Sequence, residues 1–283
     1  MRERENLIKA DLHVHTRFDL EQKLDNLVLE RTNRGNLILT AKNILVRSGR
    51  NGVTIVGLVG HGHAQHWEEA LNAQEEYQPN SELKPFFLLG VEFPTRRKKV
   101  DWKSRFTGPH LLGYFPYPNE VDLKILPKHL SPEETIHYIH ENKGVAVLPH
   151  LITDLKPQLG QLFSAFTLKE AEALALLIDG VEKNCSPAAN QLLDDLVLKI
   201  NQERQERRLR PIFSVISTDS HGLATVGEKG ILVSGEIKSP PALVEYLLDP
   251  EAVIEFYENP RISNQKPKYT SVIDFFRSGF ARR

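Results

Sequence analysis

The segment Asp11-Leu12-His13-Val14-His15-Thr16 sets two imidazoles two residues apart. On an extended strand, residues i and i+2 share a face, so both rings can converge on one cation. Neutral imidazole suits zinc, iron, manganese and nickel, and Asp11 or a carbonyl could fix the ring orientation through the second ring nitrogen. Asp219-Ser220-His221 repeats the spacing with a carboxylate and an imidazole, just after the apolar run Ile212 to Ser217. His61 follows Val53 to Val59, Glu92 ends Phe86 to Val91, His150 ends Val145 to Leu148, and His110 begins the run toward Phe115. Hard and borderline donors thus gather at six separate strand ends, which points to a multinuclear cation site rather than to packing.

Such donors need a scaffold that brings distant strand ends to one rim. Short apolar runs ending in polar residues alternate with segments of helical period, the pattern of repeated β-α units with a parallel sheet or barrel. The predicted strands are Ile8 to Val14, Val53 to Val59, Phe86 to Phe93, His110 to Phe115, Val145 to Leu148, Gly180 to Glu182, Ile212 to Ser217 and Gly230 to Val233. Ser131 with Pro132, Glu133 and Glu134 opens a helix through a cap, a first-turn proline and dipole-compatible acids. Ser186-Pro187 and Ser239-Pro240-Pro241 open two more, and Asn26 to Gly49 reads as helix with a break at Gly35-Asn36. Residues 1–258 are expected to form the barrel. The proline- and polar-rich stretch from Asn259 to Lys268 makes 259–283 a tail docked on its surface.

The series Asp-x-His-x-His-Thr, a strand with His61, Gly-Val-Glu at 90–92, His-Leu-Leu-Gly-Tyr at 110–114, a strand ending in His150, Gly-Val-Glu at 180–182 and Ser-Thr-Asp-Ser-His-Gly at 217–222 resembles the PHP (polymerase and histidinol phosphatase) phosphoesterases. The resemblance spans Asp11 to Gly222 and implies a distorted (β/α)7 barrel with two or three divalent ions, zinc, manganese or iron, at the C-terminal ends of the strands. It implies that His13, His15, Glu92 and Asp219 hold one ion, with Glu92 bridging to a second held by His110 and His150. Asp19, His61 and His221 would hold a third, and Glu182 would stand behind the ligands or in the barrel layer. His13, His15, Glu92, Asp219 and His221 are then the catalytic set, and an unliganded histidine, His221 or His63, or a metal-bound water could protonate the leaving oxygen. One departure is plain: where the family reads Thr-Asp-His-Asp, this chain has Val59-Gly60-His61-Gly62-His63, without either acid. The third ion would then bind more weakly, be absent, or recruit His63 or His66, which beside Trp67 could equally face solvent.

Arg96-Arg97-Lys98-Lys99, with Lys103 and Arg105, lies between Glu92 and His110. If those two are ligands, the joining loop hangs over the centre, where its cations can pair with phosphate oxygens. Trp102 and Phe106 in the same loop could stack on a base. The expected reaction is hydrolysis of a phosphate ester in a nucleotide, a nucleoside bisphosphate or a short oligonucleotide. Histidinol-phosphate hydrolysis, or a catalytically silent PHP-like binding module, are the alternatives.

Composition bounds the rest. With 283 residues, 40% hydrophobic and 26% charged, the chain can bury a sizeable core, and its net charge of −1 gives no global pull toward polyanions. Its partner is therefore expected to be a phosphorylated small molecule or short nucleic acid recognised locally. A single cysteine, Cys185, rules out an internal disulfide framework and fits the cytoplasm as an inert packed thiol. No apolar run is long enough for a membrane span, and composition carries no signal for oligomeric state. His129, His137 and His140 read as surface or satisfied helix residues. Arg204, Arg207, Arg208 and Arg210, mixed with Glu203 and Glu206, read as a solvated helix end.

Overall fold

The computed structural model of the chain describes residues 7–16, 39–77, 84–96, 109–122, 130–149, 151, 166–183 and 187–258. The expectations for Asp19, Arg97, Lys98, Lys99, Trp102, Lys103, Arg105, Phe106, His129, His150, Cys185, the first part of the Asn26 to Gly49 helix and the 259–283 tail fall outside these residues.

Each predicted apolar run forms a strand: β1 (Leu7–His15), β2 (Val53–His61), β3 (Phe86–Pro94), β4 (His110–Phe115), β5 (Val145–Leu148), β6 (Gly180–Glu182), β7 (Phe213–Val215) and β8 (Lys229–Ser234), with an additional β9 (Glu255–Glu258). They lie in one sheet in the order β7-β6-β5-β4-β3-β2-β1-β8-β9. Beyond β7 the chain turns back to β1: Val14 and Ser220 form a parallel bridge, with His15 N–H donating to Ser220 O at 2.9 Å and Ser220 N–H to His13 O at 3.1 Å. That bridge curls β1 to β7 into a nearly closed barrel. The lower half of the same strand, Leu7 to Ala10, pairs with β8.

The sheet is not wholly parallel, which corrects the sequence expectation. β1, β2 and β3 run parallel, as do β5, β6 and β7, but β4 is antiparallel to both of its neighbours. β8 and β9 add antiparallel strands outside the barrel circuit. The reversal of β4 puts its first residue, His110, opposite Pro94 at the end of β3. A residue that begins its strand thereby reaches the rim where the other strands end.

Alternation sorts the strand residues into two layers. Ile8, Ala10, Leu12, Ile55, Val59, Leu88, Leu112, Tyr114, Val147, Phe213 and Val215 fill the barrel with β8 residues Ile231 and Val233. Leu243, Val244 and Leu247 of helix α6 (Pro240–Leu248) belong to this inner cluster, each burial contributing about 1.5–3 kcal/mol. The outward residues, such as Val56, Leu58, Phe87, Leu89, Val91 and Phe93, pack beneath helices α1 (Ala41–Arg50) and α2 (His66–Glu76). Helix α3 (Pro132–Glu141) starts with the full capping box: Glu134 N–H donates to Ser131 Oγ and Ser131 N–H to Glu134 Oε2. α4 (Leu168–Ala173) and α5 (Pro187–Glu206) complete the outer elements among the described residues.

Candidate metal centre

The inner face of β1 is Ile8, Ala10 and Leu12, and by plain alternation His13 and His15 would face outward. A β-bulge reverses this. Asp11 pairs with Val56 and Val14 with Leu58, so three steps on β1 oppose two on β2, and Leu12 and His13 together face Gly57. Leu12 and His13 both turn inward, and His15 follows. The two Nε2 atoms stand 3.0 Å apart, as the i, i+2 spacing predicts once the strand has changed register.

Glu182 at the end of β6 fixes the His13 ring. Both of its carboxylate oxygens lie 3.1 Å from His13 Nδ1, and Ser217 Oγ donates to Oε1. A carboxylate only accepts, so Nδ1 carries a proton and Nε2 is the nitrogen turned toward the centre, where it can ligate a cation once its own proton is displaced. Asp11 has a different task. It accepts from Thr218 N–H at 3.0 Å, Thr218 Oγ1 at 2.7 Å and Gly227 N–H at 2.8 Å, pinning the segment that carries Asp219 and His221. Of the two candidates for orienting the histidines, neither Asp11 nor a carbonyl holds the His13 Nδ1. Burial pushes the Asp11 carboxyl up to about 6, against the pull of its three donors.

Glu92 is the hub. Its Oε2 lies 2.9 Å from His61 Nε2, 3.5 Å from His15 Nε2 and 3.7 Å from His13 Nε2, while Oε1 lies 2.6 Å from His110 Nδ1. Burial opposes its ionisation, but the neighbouring His61 and His110 hold the carboxyl well below the usual range. Burial likewise disfavours the His13 imidazolium, yet Glu182 and Asp219 hold the ring well above its ordinary value. Asp219 Oδ1 stands 3.3 Å from His15 Nε2 and 3.6 Å from His13 Nε2 and from His221 Nδ1. Its φ of 49° places a non-glycine residue in the left-handed region, a conformation held by the surrounding contacts and common at functional sites. His221 stacks on His15 at 4.1 Å between centroids, and His61 on the same ring at 4.2 Å.

Three interlocking triads result: His13, His15 and Asp219; His15, His61 and His221; His61, Glu92 and His110, the donor atoms of each within 4.8 Å of one another. Imidazole nitrogens mixed with carboxylate oxygens suit zinc, manganese or iron, so the donor set fits divalent cations. Seven of the nine residues expected as ligands are brought together. Asp19 and His150 lie outside the described residues. His61 stands nearer to Glu92 than a separate third site implies.

His63 and His66 are buried, which excludes a solvent-facing role, and they occupy the outer wall of β2. A Cβ on Gly60 would lie 2.7 Å from His63 O and 2.8 Å from both imidazoles. The space that a side chain at position 60 would fill is thus taken by this histidine pair, with His66 Nε2 donating to Leu58 O at 3.1 Å, and neither ring joins the donor triads among the described residues. Arg96 is exposed just beyond β3, where Thr95 N–H donates to Pro109 O at 3.0 Å. The segment bearing the basic residues therefore leaves and re-enters the barrel at the cation rim. His137 is exposed, and His140 is satisfied by Asp179 Oδ2 at 2.8 Å. Sequence reasoning missed the bulge and the residues that support it, although an isolated glycine inside the apolar run Val53 to Val59 is a signal for one.

No protein-family profile matches the chain. It is similar to the uncharacterized protein MJ1587 of Methanocaldococcus jannaschii, at 27% identity over 193 residues, 68% of this chain and 95% of that protein. Among solved structures it is similar to PsfC from Pseudomonas syringae PB-5123, with a TM-score of 0.56 at 12% identity over 97% of this chain and 99% of the other. The lesion-specific endonuclease PfuEndoQ from Pyrococcus furiosus gives 0.53 at 15% identity, over 88% of this chain and 57% of the endonuclease. A protein assigned as a metal-dependent phosphoesterase from Bifidobacterium adolescentis gives 0.51 at 14% identity, over 85% and 96%. The fold is thus a barrel of the PHP type, as the motif series implies.

Proposed function

We propose that this chain hydrolyses phosphate esters at a centre of two or three divalent cations held by His13, His15, His61, Glu92, His110, Asp219 and His221, with Asp19 and His150 completing the set. The observation that carries the reading is the interlocking of three donor triads through shared residues, with Glu92 directing one oxygen to each side. Paired cations at such a centre supply an activated water near neutral pH and charge neutralisation for the phosphoryl oxygens. The protein's part is positional. Glu182 keeps the His13 Nε2 turned inward, and Asp11 holds the Asp219 segment against β1. Of the two histidines weighed as proton donors for the leaving oxygen, His63 is behind Gly60 on the outer wall, and His221, on the inner rim with 21% of its side chain exposed, can serve only where it does not itself hold a cation.

The proposed substrate is a nucleotide, a nucleoside bisphosphate or a short oligonucleotide. The support is Arg96, exposed just beyond β3 and four residues after Glu92, followed in sequence by Arg97, Lys98, Lys99, Lys103 and Arg105, whose cations suit phosphate oxygens. A barrel of this fold also serves a lesion-specific endonuclease, which is compatible with a nucleic-acid phosphodiester.

Elemental analysis of the purified chain, with turnover on a panel of phosphate monoesters and short RNA and DNA in manganese, zinc or iron, tests the reading. Stoichiometric metal and hydrolysis are expected in the wild type. His13→Ala and Asp219→Ala should lose turnover by about a hundredfold or more, exceeding the effect of changing a group behind a ligand, with the fold retained by circular dichroism. Full turnover in either variant, or no stoichiometric metal in the wild type, counts against it, and the latter favours a binding module.

A further inference from the structure

The bulge that turns His13 and His15 into the barrel removes Leu12 from the β1–β2 ladder and leaves its carbonyl oxygen inside the barrel. Two residues receive it. Gly57, on the inner face of β2, has no side chain there: a Cβ would sit 2.1 Å from Leu12 O and 2.5 Å from its carbonyl carbon. Tyr114, reaching across from β4 on the far wall, donates its hydroxyl to the same oxygen at 2.5 Å, with its side chain fully buried. A buried carbonyl with no ladder partner is costly unless another donor meets it. The Tyr114 side chain belongs to the apolar cluster inside the barrel. Its strand register places it two residues from Leu112 and four from His110 on the same face.

We propose that Tyr114 is a positioning residue for the cation centre: by capping the Leu12 carbonyl over Gly57 it locks the β1 bulge and thereby the inward, paired arrangement of His13 and His15. The inference rests on the cation-site reading above. It assigns a function to an otherwise unexplained tyrosine hydroxyl and a strand glycine, both of which meet the Leu12 carbonyl.

The test is the affinity of the metal-stripped full chain for Zn²⁺, measured by competition with a chromophoric chelator, together with the visible absorption of the Co²⁺-loaded protein. Tyr114→Phe should weaken Zn²⁺ binding by about tenfold or more, the range for groups that orient ligands, and alter the Co²⁺ spectrum. The matched control is Tyr246→Phe, which removes a tyrosine hydroxyl on α6 that donates to Val253 O at 2.5 Å and should leave both readouts unchanged. Replacing Tyr114 by 4-aminophenylalanine restores a donor and should recover affinity to within about threefold of wild type on the same scale. This variant also decides the matter if the phenylalanine form does not fold. Wild-type Zn²⁺ affinity in Tyr114→Phe, or weak binding in a folded 4-aminophenylalanine variant, overturns the proposal. A wild-type chain that binds no Zn²⁺ fails differently, since it removes the cation site itself.

Discussion

At the scale of single residues, the inner rim is a set of groups whose protonation is set by one another. Asp11 is the instructive case, because it holds the Asp219 segment while fully buried. Its carboxyl titrates near 3.8 in an unfolded chain and at about 6 in the folded one, so the folded state binds the extra proton between those values. The stability it contributes is complete below pH 3.8 and is lost as pH rises through 6, by about 3 kcal/mol for a shift of that size. Urea unfolding of the metal-free protein at pH 4 to 7 should therefore show a falling component in the wild type that Asp11→Asn lacks; parallel curves would refute the assignment. The donors themselves were legible in the sequence because polar residues at the ends of apolar runs have few packing reasons to be there. Their orientation was not. Alternation alone sends His13 outward, and the reversal depends on Gly57 and Tyr114, which are distant in sequence and ordinary in type.

At the scale of elements, caps and alternation explain most of what forms, and failures of the sequence reading come from contacts between elements. The end of α5 reads as a run of solvated arginines, and Arg207 does pair with Glu203 at the surface. Arg204 departs from this: it is buried, and its guanidinium donates to Ala175 O at 2.8 Å, Ile178 O at 3.0 Å and Arg210 O at 2.5 Å. Desolvation lowers its pKa, but the group stays charged and ties α5 to the turn after α4. Three carbonyls from two other segments cannot be read from the spacing of arginines along a helix. Arg204→Ala should lower unfolding free energy by about 2–3 kcal/mol, since it leaves three acceptors without that donor, while Zn²⁺ affinity is unchanged. Equal denaturation midpoints for variant and wild type would remove the clamp. The direction of β4 was equally hidden, because His-Leu-Leu-Gly-Tyr has the same alternation whichever way the strand runs.

For the whole molecule, the rim ends of β1, β2, β3 and β4 and the segment after β7 contribute to one cluster of imidazoles and carboxylates, so a cation that binds there is coupled to the global fold. A ligand held by the native state alone stabilises it by about 2.7 kcal/mol at a hundredfold excess over Kd. Saturating Mn²⁺ or Zn²⁺ should therefore raise Tm by on the order of 5 °C over the chelator-treated protein, with a dependence on cation concentration. A Tm indifferent to both would separate the cluster from the stability of the barrel. The order of strands and helices left a parallel sheet or a barrel, and the motif resemblance pointed to the barrel; its seam was legible from neither, since β1 divides one edge between β8 below and Ser220 above. The antiparallel β3–β4 pair has an evolutionary corollary. Because both ends of its connection are tied together by the Thr95–Pro109 contact, that stretch can lengthen, shorten or be exchanged between homologues without any strand changing its register. It is the natural splice point for varying what meets the rim while the donor cluster itself stays unchanged.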